Sequence, residues 1–181
     1  MSASFEISSW YLKLGLRLPA PSLLRQYIHG RLCYAPAMCG RFTQHLSWAE
    51  IHYLADLIGQ PRNLAPRYNI APTTIIEVIR PTGGGNELVP MRWGLVPSWW
   101  KEPLNELPAT FNARAETIAE KPMFRSAFKS RRCVIPASGF YEWTSKPGAK
   151  VPHYFSAPDG RPLAFAGEAN SPGRERYLSC L

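Results

Sequence analysis

Long apolar runs are absent from this 181-residue sequence, and it has few cysteines and acidic residues. No stretch of 18 apolar residues occurs, because Lys13, Arg17 and Arg25 interrupt the one candidate region, and this excludes a membrane-spanning helix. The four cysteines form no CxxC pair, which favours a reducing compartment over secretion. The four histidines lack the spacing of zinc ligands, so the sequence predicts no metal site and no cofactor.

Acidic side chains are outnumbered by basic ones, with 13 Asp and Glu against 21 Lys and Arg and a net charge of +8. Such a balance indicates a polyanionic partner. A hydrophobic content of 45% is enough for one folded domain of this length. The 18 prolines exclude long helical bundles, because each proline removes a backbone donor and clashes with the preceding turn.

Two short helices are predicted from hydrophobic periodicity and capping signals. Ser47 and Glu50 have capping-box spacing at the start of SWAEIHYLADLIG, which Gly59 ends. Pro122 fits the first turn of a second helix, KPMFRSAFKSRR. That helix carries a cationic stripe, which is either a solvated face or a phosphate-binding face. Its members are Lys121, Arg125, Lys129, Arg131 and Arg132.

The remaining segments are rich in β-forming residues. TTIIEVIRP and ELVPMRWGLVP are joined by a GGGN turn and predict a hairpin. RCVIPASGFYEWT, PHYFSAP and RPLAFAG predict three further strands, connected by short Pro/Gly turns. The predicted fold class is α+β: a single domain with a mainly antiparallel, barrel-like β core and a few short helices.

Five sequence blocks carry a resemblance that composition does not: MCGRF, RYNIAPT, RWGLVPSWW, FNARAET and GFYEW. In order and approximate spacing they resemble the abasic-site processing proteins, also called SOS response-associated peptidases, from about Met38 to Gly167. The resemblance implies covalent capture of abasic sites in single-stranded DNA during the DNA damage response, with a self-processing peptidase activity. It implies a domain over residues 38–167.

The resemblance also assigns catalytic residues. In that family the cysteine after the initiator methionine becomes the first residue, and its α-amine and thiol close a thiazolidine ring on C1 of the sugar; the matching position is Cys39. An internal cysteine lacks the free amine that this chemistry needs. Asn112 is expected to hydrogen-bond the reacting amine or sugar, and Glu142 to act as acid and base.

DNA contacts are implied in the same way. Arg41 and Arg114 match arginines that clamp phosphates, and Trp100 matches an aromatic ring on which a base stacks. Asn69, Ala71 and Pro72 match residues that line the same pocket. With two cations of the second helix added, the predicted DNA-binding residues are Arg41, Asn69, Pro72, Trp100, Arg114, Arg125 and Lys129.

Both ends of the sequence differ from the family pattern. We predict that residues 1–37 are an N-terminal extension (a wrongly assigned start, a propeptide or a targeting segment), and that Cys39 needs translation from Met38 or removal of this extension. Residues 168–181 are predicted to be a divergent tail. The resemblance implies a further C-terminal segment with a catalytic histidine, but no histidine follows His153 in this sequence. Strands that close the core are also expected to be absent, which would leave an open sheet edge beyond Gly167.

Two other functions remain open. A non-catalytic module that binds single-stranded nucleic acid would keep Arg41, Arg114 and Trp100 without needing a free N-terminal cysteine. A conventional cysteine hydrolase would need a base beside Cys39, such as His45 or His153. For the leading function we expect a monomer with abasic single-stranded DNA as its partner and no membrane partner, located in the cytoplasm at the nucleoid, or in the nucleus of a eukaryote.

Overall fold

Nine β-strands and two short α-helices form the part of the chain that the computed structural model describes, residues 40–146, 148–170 and 177–180. The strands are β1 (Arg41–Gln44), β2 (Arg67–Ile70), β3 (Ile75–Thr82), β4 (Gly85–Trp93), β5 (Arg132–Ala137), β6 (Gly139–Lys146), β7 (Ala149–Phe155), β8 (Leu163–Ala169) and β9 (Tyr177–Cys180). The helices are α1 (Trp48–Ala55) and α2 (Arg125–Ser130), with a 3-10 turn at Leu104–Glu106.

The strands form a closed barrel and a separate sheet. The barrel has the order β3-β4-β9-β8-β5, and the four-stranded sheet has the order β2-β1-β6-β7. The strand pairs are antiparallel except for β4 with β9, which is parallel. This architecture confirms the predicted α+β class with a mainly antiparallel, barrel-like core. The predicted hairpin is also confirmed, as β3 and β4.

Sheet and barrel share one core. Phe42 of the sheet and Trp93 of the barrel are both buried, and their rings meet edge to face with centroids 5.2 Å apart. Ile70 and Ile135 belong to the same cluster. The Trp93 indole Nε1 donates to the Phe111 carbonyl at 2.6 Å, so this core also holds the start of the segment that carries Asn112.

The prediction of a single strand over RCVIPASGFYEWT is wrong. The chain leaves the barrel at Ala137 and enters the four-stranded sheet at Gly139, and the Ser138 N–H between them donates to the Thr43 carbonyl at 2.9 Å. A Cβ at Gly139 would overlap the Tyr154 ring, which lies across this glycine. The missing side chain therefore leaves room for the close approach where the chain changes sheets.

The expected open edge beyond Gly167 is not found within the described ranges. Gly167 pairs with Cys180, and Arg92 pairs with Tyr177, so β9 lies between β8 and β4 and closes the barrel. Because β9 occupies the gap between these two strands, β8 is not an edge strand.

Both predicted helices are present but shorter than their sequence signals. Ser47 and Glu50 form the capping box: the Glu50 N–H donates to Ser47 Oγ at 3.3 Å and the Ser47 N–H to Glu50 Oε2 at 2.8 Å. α1 ends at Ala55 because Asp56 takes a left-handed conformation with φ of 48°. α2 begins only at Arg125, after a turn that contains Pro122.

Candidate reactive site and nucleic-acid interface

The four-stranded sheet carries three of the predicted site residues, on two different faces. Arg41 pairs with Tyr141, and the buried Phe42 pairs with Phe140. Since neighbouring side chains in a strand point to opposite faces, Arg41 and Tyr141 lie on the outer face, and Glu142 lies on the inner face with Phe140. The structure thus separates the predicted phosphate clamp from the predicted acid and base.

Glu142 lies just beyond the end of the β1–β6 ladder, as does the first described residue. The last pair of the β1–β6 ladder is Arg41 with Tyr141, so Gly40 and Glu142 are each the next residue beyond that pair. Cys39, the residue before Gly40, is outside the described residues. Glu142 is half-buried, and this burial raises the pKa of its carboxyl above the usual value. A carboxyl with a raised pKa holds its proton closer to neutral pH, which suits proton transfer.

His153 of β7 is the residue directly opposite Glu142. Its Nε2 lies 2.9 Å from the Thr144 hydroxyl, two residues along β6 from Glu142. Sequence reasoning considered His153 only as a base for a cysteine hydrolase and did not connect it with Glu142. The pairing of GFYEW with PHYF across a hairpin was the signal that could have shown this relation.

The outer face of the sheet combines an arginine with three aromatic rings, of which those of Trp143 and Tyr154 are exposed. Arg41 Nη1 donates to Asn69 Oδ1 at 2.9 Å, which connects two predicted DNA-binding residues. The Tyr141 ring lies 5.0 Å from that of Tyr154 and 6.2 Å from that of Trp143, measured between centroids. Sequence reasoning missed these three rings, although the alternation in GFYEW places Tyr141 and Trp143 on one face. Guanidinium and aromatic groups together suit phosphates and bases.

A third set of predicted residues lies in the segment between β4 and α2. Asn112 is half-buried and Arg114 exposed, on either side of the buried Ala113. Trp100 is half-buried, and its Nε1 has no hydrogen-bond partner in the part of the chain that is described. Trp99 is the more open ring of the pair, 52% exposed. Trp99 is therefore a second candidate for the stacking role that the resemblance gives to Trp100.

The loop between β2 and β3 contains Ala71 and the half-buried Pro72. The Ala71 carbonyl accepts a hydrogen bond from Thr74 Oγ1 at 2.8 Å, and the Thr73 N–H donates to the Trp93 carbonyl at 2.7 Å. These bonds hold the loop against the end of β4. The loop begins after Ile70, so Pro72 lies three residues beyond Asn69 in the chain.

The cationic stripe of α2 is divided by the structure. Arg131 Nε donates to the Ala169 carbonyl at 3.2 Å, and Arg132 Nε donates to the Phe128 carbonyl at 2.9 Å. Both side chains therefore stabilise the fold through hydrogen bonds to the backbone. Arg125 and Lys129 are exposed. α2 packs mainly on β5 and β8 of the barrel, whereas Arg41 belongs to the four-stranded sheet. Arg125 and Lys129 are therefore carried by a different part of the molecule from Arg41.

The two histidines proposed as bases lie in different places. His45 follows the far end of β1, roughly 15 Å along the strand from Gly40 by strand rise, and its ring stacks on Tyr68. His153 instead lies opposite Glu142, the residue after the Arg41 partner Tyr141. Among the described residues no group of three or more His, Cys, Asp and Glu side chains could hold a metal ion. Nor does any helix in that part of the chain reach the length and apolarity needed to cross a bilayer.

Known proteins resemble this chain in sequence and in fold. The family model for SOS response associated peptidase matches residues 38–179. The abasic site processing protein YoqW of Bacillus subtilis is 40% identical over 149 residues, which cover 79% of this chain and 66% of the relative. The abasic site processing protein HMCES of Rattus norvegicus is 36% identical over 148 residues, which cover 68% and 42%.

A crystal structure of a protein from Bordetella bronchiseptica has a TM-score of 0.63 and 26% identity, and covers 78% of this chain and 70% of that one. The chain spans 42% to 66% of the length of the two curated relatives. The fold agrees with the five sequence blocks and with the family match over residues 38–179. This chain belongs to the SOS response associated peptidase family.

Proposed function

We propose that this protein captures abasic sites in single-stranded DNA through a covalent bond to Cys39, in the form whose first residue is Cys39. The observation that carries the proposal is the register of β1 and β6: its last pair is Arg41 with Tyr141, and Gly40 and Glu142 are each one residue further along. An α-amine on the preceding residue would then start one residue away from a carboxyl with a raised pKa. The names of the curated relatives support abasic DNA as the substrate.

The chemistry needs one proton donor and acceptor and releases one water. The amine of Cys39 adds to the C1 aldehyde of the open sugar, and Glu142 gives a proton to the hydroxyl that leaves as water, which forms a protonated imine. The Cys39 thiolate then adds to the imine carbon and closes the thiazolidine ring, whose nitrogen keeps its one proton, and Glu142 is left as the carboxylate. Asn112, half-buried, would orient the amine or the sugar by hydrogen bonding.

This function implies that residues 1–37 are not part of the reactive domain and are absent from the active form. The family match beginning at residue 38 supports that boundary. Residues 168–181, the predicted divergent tail, include the last two residues of β8 and the whole of β9, so they contribute to the barrel. A self-processing peptidase activity would expose Cys39. A DNA substrate places the protein at the nucleoid, or in the nucleus of a eukaryote, and a monomer suffices.

For the DNA path we propose the outer face of the sheet and the segment before α2. Arg41 and Arg114 would hold phosphates, Asn69 and Pro72 would line the lesion site, and Trp100 would stack on a neighbouring base. The exposed cations Arg125 and Lys129 would attract DNA farther along the barrel side.

A module that binds single strands without chemistry is the second candidate function. The outer face favours it, because an arginine and three aromatic rings can bind a strand without Cys39. A conventional cysteine hydrolase based on His45 has less support, since His45 lies at the far end of β1 from Gly40.

The deciding experiment compares two forms of the protein on an oligonucleotide with one abasic site. The form that begins at Cys39 should give an adduct that survives heat and a denaturing gel, and the full chain with Met1 retained should not. Cys39→Ser should lose the stable adduct, while Cys180→Ser, the matched control, should keep it. Mass spectrometry verifies each N-terminus. Equal adduct from the full chain would overturn the mechanism, and tight binding without any adduct would favour the second candidate.

A further inference from the structure

The inner face of the β6-β7 hairpin contains an acid and an imidazole as direct neighbours. Three successive facing pairs are Phe140 with Phe155, Glu142 with His153, and Thr144 with Val151. Within this run, Glu142 and His153 are the two titratable side chains. Directly opposite residues have Cβ atoms about 4.5 to 5.5 Å apart. At that spacing a charge on the imidazole affects the free energy of ionising the carboxyl, and the reverse.

Thr144 holds the imidazole equally well with and without its second proton. Its hydroxyl lies 2.9 Å from His153 Nε2 and can either donate or accept. Nε2–H of the imidazolium donates to the oxygen, and Nε2 of the neutral ring accepts from the hydroxyl. The same Thr144 contact is therefore compatible with either form of the ring. Its Nδ1 has no hydrogen-bond partner in the part of the chain that is described.

The two groups also differ in their access to solvent. Glu142 is half-buried in the sheet, whereas His153 lies exposed on β7, the edge strand. A proton taken from bulk water therefore reaches His153 more easily than it reaches Glu142. Imidazole is also the side chain whose charge changes most readily near neutral pH.

We propose that His153 is a positioning residue for Glu142, which sets the charge of that carboxyl and returns its proton from solvent. Burial raises the pKa of Glu142, and a positive charge on His153, the residue directly opposite, would favour the carboxylate form instead. After Glu142 has given its proton to a leaving hydroxyl, the imidazolium would return a proton to the carboxylate through a water molecule and be reprotonated from bulk water. The proton transfer to a leaving group rests on the proposed function, but the coupling of the two groups does not.

The test follows the Glu142 carboxyl by ¹³C NMR during a pH titration of the full chain without DNA. In His153→Gln the midpoint of Glu142 should rise by about half a pH unit or more, because a positive neighbour is lost. His45→Gln, the same substitution at the other end of β1, is the matched control and should leave the midpoint unchanged. No rise in His153→Gln, or an equal rise in the control, would overturn the proposal.

A second pair of variants keeps the test decisive if His153→Gln does not fold. Thr144→Val should shift the pH midpoint of Glu142, because the imidazole of His153 loses its hydrogen bond to the Thr144 hydroxyl. Thr144→Ser keeps a hydroxyl and should have the wild-type midpoint. In the adduct assay, His153→Gln should also change the dependence of the rate on pH. An unchanged profile alongside an unchanged midpoint would overturn the proposal. Absence of any adduct from the wild type would defeat the proposed function, while the titration still decides the coupling.

Discussion

The barrel and the four-stranded sheet differ in how far their strands are buried. Barrel strand β5 is buried on both sides: Cys133 and Ile135 face the shared core, and Val134 packs in the cluster that includes α1. In the sheet, β6 packs Phe140 against that core, while on the opposite face Tyr141 is half-buried and Trp143 is exposed. A continuously apolar strand such as β5 therefore belongs to the part of the molecule that forms the core. A strand with alternating side chains such as β6 belongs to the part that can bind a ligand.

The barrel and the sheet also differ in how deeply they bury an acidic side chain. Glu168 of barrel strand β8 is fully buried, and neither of its carboxylate oxygens has a hydrogen-bond partner in the part of the chain that is described. Burial raises its pKa to about 8. Glu142 of the sheet is only half-buried, with its pKa raised by the same cause. The buried Glu168 carboxyl lowers the stability of the barrel, whereas the half-buried Glu142 carboxyl of the sheet is accessible for chemistry.

The largest expected effect comes from breaking the core that the two regions share. Trp93→Ala should lower the free energy of unfolding by about 3 to 5 kcal/mol, because it removes the contact with Phe42 and leaves a cavity. Trp143→Ala on the open face of the sheet is the matched control and should cost less than about 1 kcal/mol. Urea denaturation measures both. Similar losses would mean that the outer face is not open.

Glu168 should make stability depend on pH. Its folded-state pKa is raised, so its contribution is fully present below the unfolded value near 4.5 and is lost as pH rises through about 8. Glu168→Gln should therefore gain up to several kcal/mol relative to the wild type at pH 9 and little at pH 4. Denaturation at both values tests this, with Glu142→Gln as the less buried comparison. A pH-independent difference between Glu168→Gln and the wild type would contradict the prediction.

The two faces of the sheet should separate binding from chemistry. Arg41→Ala should weaken binding to any single strand by about three- to tenfold and reduce the dependence on salt, because a phosphate contact is lost. Glu142→Gln should slow adduct formation with nearly unchanged affinity. Fluorescence anisotropy and gel assays measure the two quantities, with Arg161→Ala as a control beside Asp159. Equal losses of affinity in Arg41→Ala and Glu142→Gln would refute the division.

The smallest effect concerns the helix that covers the barrel. Ser47→Ala removes the side chain that accepts from the Glu50 N–H, and should cost about 1 kcal/mol. Ser47→Asp should preserve most of the stability, since a carboxylate also caps a helix start. Thermal unfolding detects this difference. A loss of several kcal/mol would mean that α1 supports the barrel more than its cap contact indicates.

Local signals were sufficient for several parts of this protein. The Ser47/Glu50 capping box, the GGGN hairpin and the apolar runs act over a few residues, so the sequence by itself determined α1, β3 with β4, and the β-rich class. The five blocks determined the family. The break at Ser138 was not visible locally, because it depends on how closely Tyr154 approaches Gly139 across the sheet.

Only the tertiary structure decided which site residues share a face. Strand register set Arg41 and Asn69 outside, Glu142 inside, and His153 opposite Glu142. Register depends on pairings between residues far apart in the chain, and a shift by one residue would exchange the two faces. It was likewise the closing of the barrel around β8 that buried Glu168, which sequence reasoning had placed in a divergent tail. Composition predicts that an acid is present, but only packing decides whether water reaches it.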